Sequence, residues 1–168
     1  MANIAHVFTS ESVTIGHPDK TADQISDAIL DAALAQDPAA RVACETILTG
    51  NTVLIGGEIT TSAVLDFEAI ARQTIIDIGY DRDGIGLNGH TAEVLVRVGQ
   101  QSPEIAGGVF DALEGRGDDE RDPIEAQGAG DQGIVFGYAT ADNTSAFPVA
   151  GKLAHLLSAK LAEVRRSD

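Results

Sequence analysis

The sequence of 168 residues is poor in cysteine, in aromatic side chains and in positive charge. Its single cysteine, Cys44, excludes an internal disulfide and a zinc site built from several cysteines, and such sparing use is typical of a reducing cytosol. Tryptophan is absent and aromatic residues make up only 4%. A platform for stacking nucleic-acid bases is therefore not expected.

Basic residues are also scarce: the sequence has 26 acidic and 11 basic side chains, and its net charge is −15. This balance argues against partners such as nucleic acid or an anionic membrane, which attract basic surfaces. A phosphate ligand would need metal ions or a few well-placed cations. The sequence has no apolar run near the ~18 residues of a membrane span, and residues 1–8 show no secretory signal. We therefore expect a cytoplasmic protein, and the hydrophobic content of 43% is enough for a core.

Apolar residues recur at three- and four-residue spacing in three stretches, which predicts three helices. The predicted helices span residues 19–36, 67–78 and 148–166. Pro18 and Asp19 favour the start of the first helix, and Gly79 is a typical end for the second. The apolar side chains of the third helix are expected to face a core: Val149, Leu153, Leu156, Leu157, Leu161 and Val164.

Alternating apolar residues predict a β-hairpin over residues 41–60, with Gly50-Asn51 as its two-residue turn. Residues 91–98 and 134–140 have strand patterns of their own. Together these elements predict an α+β fold, a two-layer α/β sandwich whose helices cover one face of a mainly antiparallel sheet.

The stretch Glu11–Lys20 ends in Gly-His-Pro-Asp-Lys at the predicted start of the first helix. A helix N-terminus favours anions through its free N–H groups. His17 can donate a hydrogen bond to a transferring group, Asp19 can hold a metal ion, and Lys20 can meet a phosphate. Residue types alone favour the plainer interpretation of a solvated, charged helix cap.

Glu45 and Glu58 fall on one face of the predicted hairpin. With Gly50-Asn51 as the turn, paired residue numbers sum to 101, so Glu45 lies opposite Gly56 and diagonal to Glu58. Diagonal neighbours are roughly 7–8 Å apart, so the two carboxylates could share a cation or hold a substrate ammonium. The alternative is that this face of the sheet is simply exposed to solvent and binds nothing.

Two further segments are rich in glycine. Residues 128–133 place Asp131 between glycines before a predicted strand, a pattern that by itself indicates little more than a turn. The segment from Pro103 to Gln127 has eight acidic residues, two basic residues and four glycines. Irregular segments of that length in small domains are usually functional or disordered.

Taken together, five stretches resemble the S-adenosylmethionine synthetase family, also called methionine adenosyltransferase. They are FTSESV-x-x-GHPDK-x-ADQISDA at 8–28, DPAARVACET at 37–46, GGEITT at 56–61, GQQSPEI at 99–105 and GAGDQGIVFGY at 128–138. The last is similar to a signature motif of the family. The resemblance covers almost the whole chain.

The resemblance implies an enzyme in which the sulfur of L-methionine attacks C5′ of ATP and displaces triphosphate, which is then hydrolysed to phosphate and diphosphate. The family uses two Mg²⁺ ions and one K⁺ per site, and its members are homodimers or homotetramers with the active site between subunits. Metal ions would let so acidic a protein handle ATP.

The resemblance also implies roles for individual residues. His17 would contact the ATP phosphates, Lys20 would support them, and Glu11 would sit near the ribose. Asp19 would bind Mg²⁺ and Glu45 would bind K⁺. The residues implied in methionine binding are Glu58, Gln101 and Asp131, the last of which is also a candidate for ATP.

Family members run to roughly twice this length, and their second glycine-rich signature is missing here. The sequence therefore resembles an amino-terminal portion, with a first module over 1–106, an acidic mobile gate loop over 107–127 and the start of a second module over 128–168. Two hypotheses remain open: an active synthetase polypeptide, or a non-catalytic binding module that needs a partner. An acidic interaction domain without enzyme ancestry is disfavoured by the density of motifs.

Overall fold

The structure is a computed structural model that describes residues 7–100 and 133–167. Along the chain it has helix α1 (Pro18–Gln36), strands β1 (Arg41–Thr49) and β2 (Thr52–Thr60), helix α2 (Phe67–Ile78), strand β3 (Glu93–Gly99) and helix α3 (Val149–Ser167). Helices α1 and α2 pack on a three-stranded sheet, which confirms the predicted α+β class. Gln101, Asp131 and the predicted gate loop lie outside the described residues.

Helix α1 begins and ends where local chemistry favours it. His17 is its N-cap, Pro18 follows at the first helical position, and Asp37 is its C-cap. The fully buried residues recur every four positions, so one stripe of the helix faces the core: Thr21, Ile25, Ile29 and Ala33. Ala22 and Ala32, which flank this stripe, are only half-buried.

Helix α2 has the predicted bounds. The carboxylate of Asp66 accepts a hydrogen bond from the Ala69 N–H at 2.9 Å, and Gly79 ends the helix in the left-handed region with φ 109°. Its buried residues Ala71 and Ile75 belong to the same core cluster as Ile25 and Ile29 of α1, and Ile78 is buried as well. The sheet is thus covered on one face by both helices.

The hairpin has the predicted register, with Glu45 paired to Gly56 and Ala43 to Glu58. Strand β3 lies on the other side of β2 and runs parallel to it. The described sheet is therefore mixed rather than mainly antiparallel, because α2 forms a crossover that returns the chain in the same direction as β2. Val53, Ile55 and Ile59 of β2 point into the core.

The predicted strand over 134–140 is wrong, because these residues are irregular and pair with no strand among the described residues. Their apolar side chains face solvent, with Val135 97% and Phe136 92% exposed. The prediction that the apolar face of α3 meets a core is wrong as well. Leu157 is 68% and Leu161 64% exposed, because no described element covers that face.

Candidate functional site

His17 is oriented by the helix that it caps. Its backbone is extended (φ −62°, ψ 138°), and its Nδ1 accepts a hydrogen bond from the Asp19 N–H at 3.2 Å. An imidazole that accepts at Nδ1 carries its proton on Nε2 when it is neutral. The ring can therefore donate from Nε2 while it satisfies a free N–H group of the first turn.

Lys20 and Asp19 lie on the same exposed first turn of α1. The Lys20 ammonium forms an ion pair with Asp23 at 2.9 Å, and this hydrogen bond and the charge of Asp23 raise the lysine pKa above its usual value. Exposed pairs of this kind are weak. Lys20 can therefore leave Asp23 for a stronger anion such as a phosphate, without any loss of its charge.

The segment before α1 is fastened to its surroundings by side chains that the sequence analysis did not single out. Gln24 donates from Nε2 to the carbonyl oxygens of Ile15 and Lys20, both at 2.9 Å. Ser12 lies 2.8 Å from His155 Nδ1, and the Ser158 hydroxyl donates to the Ser12 carbonyl at 3.0 Å. Glu11 remains exposed beside Ser12. Of these hydrogen bonds, only the one from Gln24 to Lys20 could be inferred from the sequence, because the two residues have the i, i+4 spacing of a helix.

A groove of about 940 Å³ runs between this segment and α3. Lys20 and Gln24 line it on the α1 side, and His155, Ser158 and Arg166 line it on the α3 side. His17 and Asp19 are not part of its lining. Of the predicted site residues that the structure describes, only Lys20 reaches this groove.

The predicted arrangement of Glu45 and Glu58 agrees with the observed register. Both are exposed on the outer face of the sheet, which the helices leave uncovered, and Gly56 lies between them in the pairing pattern. Arg97 of β3 pairs with Gly56 and so shares this face. The outer face therefore carries both carboxylates together with guanidinium groups, a setting that suits a mixed-charge ligand as well as a metal ion.

The structure does not bring the two predicted groups together. His17, Asp19 and Lys20 belong to the helical layer, whereas Glu45 and Glu58 face away from it. Gly50 lines a small cavity together with Gly16 and Pro18 at the start of α1. Glu45 is five residues from Gly50 along β1, or about 16 Å at the rise of a β-strand. In residues 7–100 and 133–167, no three metal-binding side chains cluster. The two groups of predicted site residues thus lie on different layers of the described chain.

No helix within the described ranges is long and apolar enough to span a membrane.

Comparison with known proteins matches both parts of the chain to one family. The model of the S-adenosylmethionine synthetase N-terminal domain matches residues 5–103, and that of the central domain matches residues 126–168. The S-adenosylmethionine synthase of Staphylococcus epidermidis is 52% identical over 162 residues, which are 96% of this chain and 41% of the relative.

Two further proteins are similar to the same extent. The S-adenosylmethionine synthase of Salinispora arenicola is 53% identical over 95% of this chain and 40% of its own length. S-adenosylmethionine synthase 1 of Frankia casuarinae is 55% identical over 95% and 39%, respectively. The chain thus spans about two fifths of the length of these relatives. With the N-terminal domain model matching more than half of its residues, the chain belongs to the S-adenosylmethionine synthetase family.

Proposed function

We propose that the polypeptide containing this chain is a methionine adenosyltransferase that forms S-adenosylmethionine from ATP and L-methionine and releases phosphate and diphosphate. The observation that carries the proposal is the identity of 52–55% to proteins named S-adenosylmethionine synthase over nearly the whole chain. We further propose a cytoplasmic location. The geometry at the start of α1 supports the chemistry.

His17 is suited to act on the triphosphate. Its Nδ1 is occupied by the Asp19 N–H, so Nε2–H is the group that can donate to a phosphate oxygen. The remaining free N–H groups of α1 point the same way as the positive end of the helix dipole. A donor held in place before reaction stabilises charge that develops on a leaving group. Lys20, on the same turn of α1, adds a positive charge at the end of a flexible side chain.

The family's metal ions fit single carboxylates of this chain rather than a closed protein cage. Mg²⁺ is commonly held by one or two carboxylates together with substrate phosphates and water. Asp19, exposed beside His17, fits that pattern, and Glu45 on the outer face is the candidate for K⁺. Bound Mg²⁺ neutralises phosphate charge, which matters for a chain with a net charge of −15.

Methionine is assigned to the outer face. The carboxylate of Glu58 would pair with the substrate ammonium, and Gln101 and Asp131 would complete that subsite. The outer face and the start of α1 lie on different layers. One subunit would therefore supply the residues at the start of α1, and its partner subunit would supply the outer face. A homodimer or homotetramer with sites between subunits has this arrangement.

The second candidate function is a non-catalytic module that binds a partner to complete its site. One observation favours it: the apolar face of α3 is open to solvent among the described residues. This candidate predicts binding without turnover. An assay of the chain by itself with ATP, methionine, Mg²⁺ and K⁺ separates the two candidates only when a longer protein is tested beside it.

The decisive experiment uses a chimera of residues 1–168 joined to the remaining length of the S. epidermidis relative. We expect the chimera to make S-adenosylmethionine and residues 1–168 by themselves to make little. His17→Asn in the chimera should lower turnover by about 10²–10³, with a small change in KM for methionine. His90→Asn, at an exposed histidine in the loop before β3, is the control. Unchanged turnover with a large rise in that KM would contradict the role of His17.

A second variant tests the metal assignment. Glu45→Gln in the chimera should weaken the stimulation by K⁺ while the protein remains folded, because the substitution removes one charge from an exposed strand position. Glu68→Gln, on the helical layer, is the matched control. Equal K⁺ responses in the Glu45 variant and the parent would refute the assignment.

A further inference from the structure

Tyr80 reaches from the end of α2 to the segment that precedes α1. Its hydroxyl donates to the carbonyl oxygen of Gly16 at 2.6 Å, across 64 positions of the sequence. Gly16 is the residue before His17, and its carbonyl belongs to the peptide unit that supplies the His17 N–H. The hydrogen bond therefore acts on the backbone of the candidate catalytic histidine.

The tyrosine is itself held firmly. Gly79 ends α2 in the left-handed region, and the next N–H, that of Tyr80, donates to the Ile75 carbonyl at 3.1 Å. On its other side, the Gly89 N–H donates to the Tyr80 carbonyl at 2.8 Å, and the ring packs against the hydrophobic core. Tyr80 thus has a fixed position, and its side chain can align the neighbouring segment that contains Gly16.

The peptide unit between Gly16 and His17 is fixed at both ends. Its carbonyl oxygen accepts from Tyr80, and its N–H donates to the Thr14 carbonyl at 3.0 Å. Because a peptide unit is planar, two hydrogen bonds on opposite sides set its orientation. That orientation sets the direction in which the Cα–Cβ bond of His17 leaves the chain, and hence where Nε2 can reach.

Packing alone does not provide this restraint. Gly16 has no side chain, and beside it lies a cavity of about 200 Å³ that is lined in part by Gly50, Gly86 and Tyr80. A Cβ at position 16 would lie 3.0 Å from the Tyr80 hydroxyl oxygen, so the close approach of the two residues depends on glycine. The hydroxyl is accordingly the feature that defines the position of the segment.

We propose that Tyr80 is a positioning residue that aligns His17 through the Gly16 carbonyl. The benefit of this alignment for phosphate chemistry rests on the proposed function, whereas the alignment itself is a property of the chain. Loss of the hydroxyl should loosen the turn at Gly16, weaken the bond from the Asp19 N–H to His17 Nδ1, and leave the core packing of the ring in place.

The test compares Tyr80→Phe with Tyr138→Phe, since these are the two tyrosines of the sequence and Tyr138 is 80% exposed. In the 168-residue chain, we expect Tyr80→Phe to raise amide exchange of Asp19 by about tenfold, the effect of one lost hydrogen bond. The His17 ring nitrogens should shift toward a mixture of tautomers by NMR. Tyr138→Phe should change neither, and Gly16→Ala, which crowds the same hydroxyl, should reproduce the effect.

In the active chimera, Tyr80→Phe should lower kcat with little change in KM for methionine. Unchanged exchange and ring signals in both Tyr80→Phe and Gly16→Ala would overturn the positioning role. Loss of protection throughout α1 and α2 would overturn it too, because the hydroxyl would then serve the fold as a whole. If the parent chimera makes no product, the proposed function fails, but the NMR comparison still decides the role of Tyr80.

Discussion

Helices α1 and α3 have the same length of 19 residues and similar apolar periodicity, yet they differ in what they bury. Ile25 and Ile29 of α1 are 0% exposed, whereas Leu157 and Leu161 of α3 are 68% and 64% exposed. Helix α1 lies on a sheet that supplies complementary apolar side chains. Periodicity therefore identifies a helix and its apolar face, but only the neighbouring elements determine whether that face is buried.

The strongest test of this contrast is a matched pair of truncations. Ile29→Ala should lower the free energy of unfolding by about 2–5 kcal/mol, because it leaves a cavity in a close-packed core. Leu157→Ala should change it by no more than about 0.5 kcal/mol, the usual range for exposed positions. Chemical denaturation followed by circular dichroism measures both. Similar losses in the two variants would mean that the face of α3 is buried in solution, for example between copies of the chain.

Helix α3 is instead attached through polar contacts near its C-terminus and along its middle. Near its C-terminus, the Arg165 guanidinium donates to the Ile78 carbonyl and that of Arg166 to the Asp77 carbonyl at 3.2 Å. These are carbonyls at the end of α2, where the helix dipole is negative and favours cations. Ser12, His155 and Ser158 make the contacts on the other side.

A smaller effect should follow when one of these contacts is removed. Arg165→Met keeps an unbranched side chain but loses the guanidinium, and we expect α3 to lose about 1 kcal/mol of protection. Hydrogen exchange should rise in α3 and stay unchanged in α1. Lys160→Met, which removes an exposed pair with Glu163 on the same helix, is the control. An equal effect of both variants would contradict attachment through Arg165.

The elements that depend on neighbouring residues were predictable from the sequence. The two-residue turn at Gly50-Asn51 fixed the pairing of β1 with β2, and so the common face of Glu45 and Glu58. His17, Pro18 and Asp19 identified the start of α1 for the same reason. The end of α2 followed from Gly79, whose capping role is local, and Asp66 caps its start in the same local way.

Features that depend on distant partners were not predictable. An alternating pattern indicates which face of a strand is apolar but not its direction, so the parallel placement of β3 was missed. Residues 134–140 have strand composition, but a strand also needs a hydrogen-bonding neighbour. The bond from Tyr80 to Gly16 links residues 64 positions apart, and no spacing rule connects them. The separation of the two groups of predicted site residues on different layers likewise emerged only from the packing of α1.

The smallest effect concerns the attachment of the end of α1, because it depends on a half-buried carboxylate, whereas α3 uses guanidinium groups. Asp37 Oδ2 accepts from the Ser62 N–H at 2.8 Å and from the Thr61 hydroxyl at 2.9 Å, and these hydrogen bonds hold the Asp37 pKa below its usual 3.8. Since folding lowers this pKa, the stabilisation is complete above the unfolded value and is lost as the pH falls through the folded value.

Asp37→Asn should therefore lower the stability relative to the parent at pH 6, and the difference should shrink as the pH falls below 3.8. Asp31→Asn removes the same charge from an exposed position of α1 and should show no such convergence. Denaturation curves from pH 6 to pH 2.5 measure the difference, and a constant gap for the Asp37 variant would show that its carboxylate makes no charge-dependent contribution to fastening α1.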